Sequence, residues 1–289
     1  MSLEKRCDGD LDCDDGSDEH DCEAFITFSG YNKFHVPPPV GEELKLMINI
    51  SLDIDEIIAI DEHDGYFKIK MTLLRKWFNT QLTYQNLKQG VGKNEMSKDD
   101  IERMWKPFTV FENIEHADEE KMTQQPDIMM IIPNPEFRFK RDDRSNYRNT
   151  RLFRGDENVI SYQRQVAVNW VCRFDMKWYP FDSQTCKLEM FAPESSVTMN
   201  PMAVRYLGPS ELSQYFVEGV NICPITIKER SGIVVEVILG RPLLGICLSV
   251  FMPTSILLIL SQMVRVFNKD HLEMVIEVNL TLLLVLATL

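Results

Sequence analysis

From Leu243 to Val264 the chain carries no charged residue, a stretch about as long as the roughly 20 residues an α-helix needs to cross the hydrocarbon layer of a bilayer. Arg265 and Lys269 follow it as interfacial anchors. Pro253 stands in its middle, where a water-soluble helix resists proline and a membrane helix tolerates it. The run therefore reads as a transmembrane helix over 243–265, and the competing reading is a core helix of a soluble protein. Val278 to Leu289 is a second apolar run, too short to span by itself; a second helix over about 274–289 is expected, truncated where the sequence stops. Glu273 and Glu277 are four apart and share one helix face at the membrane boundary.

The opposite end has the opposite chemistry. Between Cys7 and Cys22 stand eight acidic residues and no Lys or Arg, too polar to fold without a disulfide or metal staple. The formal net charge of −13 excludes a nucleic-acid binder, which needs clustered Lys and Arg; cations and small ligands fit better. The seven cysteines, Cys7, Cys13, Cys22, Cys172, Cys186, Cys223 and Cys247, are spaced as in disulfide-bearing extracellular proteins rather than in a zinc cluster. The charged start Met1 to Arg6 lacks the apolar run of a secretory signal, so the N-terminus is expected to be incomplete. Pro37-Pro38-Pro39 marks an extended spacer. These shifts divide the chain into an acidic module (1–22), a linker (23–43), a large domain (44–241) and a membrane region (242–289).

Within the large domain, short alternating apolar runs are punctuated by Gly, Pro, Asn and Asp, as antiparallel strands require. Strands are expected at Leu52 to Ile60, Tyr66 to Leu74, Val166 to Phe174, Thr185 to Phe191 and Ile233 to Leu239, with a hairpin turn at Asp61 to Gly65 and a helical turn at Ser97 to Met104. The fold class is mainly β, an immunoglobulin-like β-sandwich followed by transmembrane α-helices. Asn49-Ile50-Ser51 is a glycosylation sequon if its strand faces solvent. The five histidines are scattered, and no nucleophile, acid-base pair or phosphate loop stands out, which leaves an enzyme reading without support.

Cys172 and Cys186 enclose a segment centred on Tyr179-Pro180-Phe181-Asp182. This resembles the signature loop of the Cys-loop receptors, the pentameric ligand-gated ion channels. Trp77-Phe78-Asn79-Thr80-Gln81-Leu82 resembles the family's Trp-x-Asp-x-Arg-Leu segment, with Asn79 and Gln81 as departures. Met104-Trp105-Lys106-Pro107 with Asn113 resembles its Trp-x-Pro…Asn segment, and Arg241 stands where the family carries Arg before its first membrane helix. The resemblance implies a Cys172–Cys186 disulfide and an agonist site between neighbouring subunits. Tyr179, Pro180 and Phe181 would pack on the membrane domain, and Arg241 would pair with Asp182 or with the Asp61 to Asp64 turn, as a coupling element. Glu277-Val278-Asn279-Leu280-Thr281-Leu282-Leu283-Leu284 resembles the family's pore helix: Leu284 would gate by dewetting, Thr281 would line the pore, and Glu273 and Glu277 would form carboxylate rings that favour cations.

The agonist is less legible, because the stretches that form an aromatic cage in amine-gated members are poor in aromatics here. Phe111, Ser195, Ser196 and Lys228 are the candidate ligand contacts. The acidic module resembles the second half of a low-density-lipoprotein receptor class A repeat. That resemblance implies a Cys7–Cys22 disulfide and calcium bound by Asp8, Asp12, Asp18 and Glu19 with a backbone oxygen of Asp10. The whole implies a multi-pass plasma-membrane protein of the postsynaptic kind, with an extracellular N-terminal domain, homologous subunits, a small agonist and the lipid bilayer as partners. The alternative is a secreted or single-pass receptor without channel activity.

Overall fold

The computed structural model describes residues 10–20, 25–28, 30–85, 87, 94–116, 126–134, 152–267, 276–281 and 283. Two compact units emerge. One comprises Met1–Arg173, Cys186–Pro209 and Gly219–Val237; the other comprises Phe174–Thr185, Ser210–Glu218 and Ile238–Leu289.

The strands, most of their residues in the first unit, are β1 (Phe25–Thr27), β2 (Leu46–Asp61), β3 (Tyr66–Trp77), β4 (Thr83–Gln85), β5 (Val110–Phe111), β6 (Ile114–His116), β7 (Ile128–Ile132), β8 (Leu152–Arg154), β9 (Val159–Val171), β10 (Ser183–Phe191), β11 (Val197–Tyr206), β12 (Phe216–Ile227) and β13 (Arg230–Gly240). A six-stranded sheet runs β11-β2-β3-β9-β6, with β7 also on β9; a four-stranded sheet runs β12-β13-β10-β5; a small sheet joins β1, β4 and β8. Period-two alternation sends Leu46, Ile48, Ile50, Leu52 and Ile54 of β2, and Phe67, Ile69, Met71 and Leu73 of β3, out of solvent. From the other sheet come Cys186, Leu188 and Met190 of β10 with Ile233, Val235 and Val237 of β13. Each large side chain so buried contributes about 1.5–3 kcal/mol, which makes these two inward faces the core of a sandwich. Phe67 and Trp170, paired across β3 and β9, stack with centroids 4.9 Å apart.

The pairing departs from an all-antiparallel expectation at one place, since β11 runs parallel to β2 from Val197↔Leu46 to Tyr206↔Ile54. That ladder breaks between Pro201 and Ala203, because proline has no N–H to donate. The strand expected over Val166 to Phe174 instead starts at Val159 and ends at Val171, where the Cys172 amide turns to the Gly65 carbonyl at 2.9 Å. The β2–β3 turn is closed by Asp61, whose Oδ1 accepts the His63 and Asp64 amides at 2.9 Å each; Gly65 takes the left-handed conformation the turn demands, at φ +70°. Helix α1 (Lys98–Arg103) starts at Ser97, whose hydroxyl accepts the Asp100 amide at 3.2 Å. The Asn49 side chain is half-buried and accepts a hydrogen bond from Asn200 at 2.7 Å, a poor setting for a glycan acceptor.

In the second unit the stretch expected as one membrane helix is divided. Helix α2 (Leu243–Ile246), a π-helical turn (Cys247–Phe251) and helix α3 (Met252–Phe267) follow one another without a gap. The Met252 amide reaches back to the Cys247 carbonyl, five residues away. Pro253 supplies the reason: its ring clashes with the carbonyl four residues before it in a regular α-helix, and a wider turn moves that carbonyl aside. As a result, no single helix among the described residues is long and apolar enough to cross a membrane. Residues 276–281 are helical, and Ser261 of α3 donates to Asn279 there.

Candidate functional site

The segment between Cys172 and Cys186 is tied at its base by a disulfide between these two buried residues, with Cα atoms 5.2 Å apart. Closing so short a loop removes unfolded-state entropy worth about 3 kcal/mol in chain-entropy terms. The loop is fastened again within the second unit. Gln184 accepts the Asp175 amide and donates to the Asp175 carbonyl, both at 2.9 Å. Two tight turns then form, Tyr179 N–H to Met176 O at 3.1 Å and Phe181 N–H to Trp178 O at 2.7 Å, and the Tyr179–Pro180 bond is cis. Pro180 is buried, whereas Trp178, Tyr179 and Phe181 form an exposed apolar tip.

Under this tip lies a buried ion pair. Arg241 Nε donates to Asp182 Oδ1 at 2.7 Å, and the two side chains are only 5% and 3% exposed. The other carboxylate oxygen accepts from the Gln184 amide. Nη2 of Arg241 donates to the Tyr215 hydroxyl at 2.6 Å and to Met176 Sδ at 3.1 Å, while the guanidinium carbon sits 4.9 Å from the Tyr179 ring centroid and 4.5 Å from that of Tyr215. Burial pushes the Asp182 carboxyl up, but the hydrogen bonds from Arg241 and Gln184 and the guanidinium charge prevail and hold it below the ordinary carboxylate value. Two aromatic faces and a thioether thus surround one satisfied charge pair, an arrangement that is costly to break on either side. Of the two partners considered for Arg241, the structure provides Asp182.

The candidate ligand contacts are more dispersed. Phe111 is half-buried on β5 opposite Met190. Its neighbour Glu112 pairs with Arg230 at 2.7 Å, and the Arg230 guanidinium lies 5.4 Å from the Phe191 ring. Ser195 and Ser196 are exposed between β10 and β11, where the Ser196 carbonyl accepts the Leu46 amide at 2.8 Å. Lys228 is exposed at the β12–β13 hairpin tip; it and Glu229 have φ of 49° and 66°. Sequence reasoning missed Tyr215, Gln184 and the Glu112–Arg230 pair. Of these, Gln184 carried a signal: it stands two residues before Cys186, on the inward alternation of a strand that starts earlier, at Ser183, than the expected Thr185.

For the other expected sites, Cys7, Cys22, Asp8, Glu273 and Leu284 lie outside the described residues. Glu277 and Thr281 are helical, and the Thr281 hydroxyl donates back to the Glu277 carbonyl at 2.8 Å. At the N-terminus, Asp18 Oδ2 accepts the Asp12 amide at 2.6 Å and Oδ1 the Cys13 amide at 3.3 Å. Among the described residues no group of three or more His, Cys, Asp or Glu side chains is placed to hold a metal ion.

Residues 26–207 match the family model of the neurotransmitter-gated ion-channel ligand binding domain. The gamma-aminobutyric acid receptor subunit pi of Rattus norvegicus is 23% identical over 244 residues, covering 81% of this chain and 49% of that protein. An acetylcholine-gated chloride channel subunit, acc-2, of Caenorhabditis elegans is 24% identical over 160 residues, 55% of this chain and 30% of its own length. A proton-gated ion channel of Gloeobacter violaceus is 22% identical over 156 residues, 54% of this chain and 35% of that protein. The chain spans about half the length, or less, of these curated relatives. With the matched segment extending over well more than half of the chain, the protein belongs to the neurotransmitter-gated ion-channel ligand-binding-domain family.

Proposed function

We propose that this chain is the extracellular sensing domain and the first membrane segments of a ligand-gated ion channel subunit, which assembles with homologous subunits into a pentamer in the plasma membrane. A small extracellular agonist bound between subunits shifts the sandwich, and the shift reaches the helices through Arg241 and Asp182. The observation that carries this reading is the buried Arg241–Asp182 pair, set one residue after strand β13 and two before helix α2. Strand and helix share a continuous backbone there, and a desolvated charge pair that is costly to break on one side suits a bistable coupling element.

The membrane assignment is supported by helix α3 and its neighbours, whose Leu244, Leu248, Met252, Leu258, Ile259 and Val266 are all exposed in the single chain. So many exposed apolar side chains in succession need lipid or other helices around them. Ion selectivity has two readings. Carboxylates at Glu273 and Glu277 favour cations, whereas kinship with a protein named as a chloride channel favours chloride.

Full-length protein expressed in oocytes, exposed in turn to gamma-aminobutyric acid, acetylcholine and external protons, tests the proposal. Agonist-evoked current is expected, with a reversal potential that follows sodium on the cation reading and chloride on the anion one. Surface protein without current under all three probes would favour a receptor that does not conduct. Calcium binding at the acidic N-terminus, with Asp8 completing the set, is a separate proposal, checked by calorimetric titration of calcium into the full-length protein.

A further inference from the structure

We infer that Tyr215 is a positioning residue that holds the Arg241 guanidinium on Asp182, which makes the segment Ser210–Glu218 a second input to the coupling element; this rests on the coupling role proposed above. The geometry of the fork is the starting point. An arginine commonly meets a carboxylate through two parallel N–H groups, which fixes the guanidinium plane as well as its distance. Here Asp182 Oδ1 takes Nε, while Oδ2 is engaged by Gln184. With Asp182 met through Nε, the orientation of the plane depends on what Nη2 and the guanidinium faces meet, the Tyr215 side chain, Met176 Sδ and the Tyr179 ring among them.

Tyr215 engages the guanidinium in two ways at once. Its hydroxyl accepts from Nη2 at 2.6 Å, and its ring centroid lies 4.5 Å from the guanidinium carbon. The side chain is 1% exposed, where a phenol needs a polar partner and a guanidinium gains from an aromatic face. The segment that carries it is itself well defined. Leu212 N–H donates to Tyr215 O at 2.8 Å, Val217 N–H donates to Ser210 O at 2.9 Å, and Glu211 bridges to Phe216. Tyr215 also stacks on Phe174, with centroids 6.3 Å apart. The segment therefore ends in strand β12, one arm of the hairpin tipped by Lys228 and Glu229. Displacement of β12 would be felt at Arg241 through Tyr215 in addition to the path through its hairpin partner β13, which joins Arg241 directly.

A double-mutant cycle on detergent-purified full-length protein tests this through the unfolding temperatures of the parent, Tyr215→Phe, Arg241→Lys and the double variant. Tyr215→Phe is expected to lower the parent by several degrees and the Arg241→Lys protein by less than half as much. Equal losses in the two backgrounds would overturn the inference. If Arg241→Lys yields no folded protein, Asp182→Asn replaces it in the same cycle. Where one of the three probes opens the parent channel, Tyr215→Phe is expected to shift its half-maximal concentration threefold or more at unchanged surface expression. An unmoved half-maximal concentration would count against the role. A parent silent to all three probes speaks against the channel reading alone, because the unfolding cycle needs no current.

Discussion

Asn113 and Glu189 join the two sheets: the Glu189 amide donates to Asn113 Oδ1 at 3.1 Å, and the Asn113 side-chain amide donates to the Lys187 carbonyl. The Asn113 carbonyl meanwhile accepts the Val171 amide of β9 at 2.8 Å. One residue thus satisfies backbone groups of both layers beside the disulfide. Asn113→Ala removes two hydrogen bonds and is expected to cost about 1–3 kcal/mol, seen as a lower urea midpoint with unchanged slope. A midpoint equal to that of the parent would show these bonds to be replaceable by water.

Gly155 is fixed by crowding. A Cβ there would stand 1.9 Å from the Asn79 carbonyl oxygen and 2.8 Å from that of Leu82, and the same backbone is held by Asn79 N–H to Gly155 O at 3.2 Å and Gly155 N–H to Leu82 O at 3.0 Å. Neither oxygen can retreat without losing a hydrogen bond. Gly155→Ala is expected to cost about 2–3 kcal/mol and to reduce surface expression, measured by antibody labelling of unpermeabilised cells.

The ion pair at Asp182 makes a signed prediction for pH. Its carboxyl is held below the ordinary value, so its stabilisation is fully present above the unfolded pKa, about 4, and is lost as pH falls through the lower folded value. Unfolding temperature is expected to fall below about pH 4, and the fall should be shallower in Asp182→Asn. At neutral pH that variant leaves a buried guanidinium without its counter-charge, at a cost of about 3–5 kcal/mol. Parallel pH profiles for the two proteins would remove Asp182 from the account.

Lys228 and Glu229 occupy the left-handed region in succession, which side chains with a Cβ enter at about 1 kcal/mol or more each. Two-residue hairpins of this kind favour Asn-Gly. Replacing the pair by Asn-Gly is expected to raise stability by about 1–2 kcal/mol, read as a higher urea midpoint.

Much of the sandwich was legible, because burial on one face imposes a period of two. Strands β2, β3, β10 and β13 all contain the runs marked out from sequence. The parallel β11 on β2 was not, since nothing local distinguishes a parallel neighbour from an antiparallel one. At the coupling site, Asp182 and Arg241 could be named from the motif each sits in. Tyr215 could not: it lies in Glu211-Leu212-Ser213-Gln214-Tyr215, without periodicity, and meets Arg241 across 26 residues of chain. The π-helical turn was hidden for another reason, as proline announces a disturbance in a helix without saying how the backbone absorbs it.

That turn at Cys247–Phe251 holds one residue more than an α-helical turn would. Were it to tighten to α geometry, α2 and α3 would rotate against each other by about 100° and part by about 1.5 Å. Leu243 and Leu244 would then present different flanks to their surroundings while Ile256 and Ile259 kept theirs. A length of chain that never unwinds can in this way act as a ratchet with two teeth, one step apart.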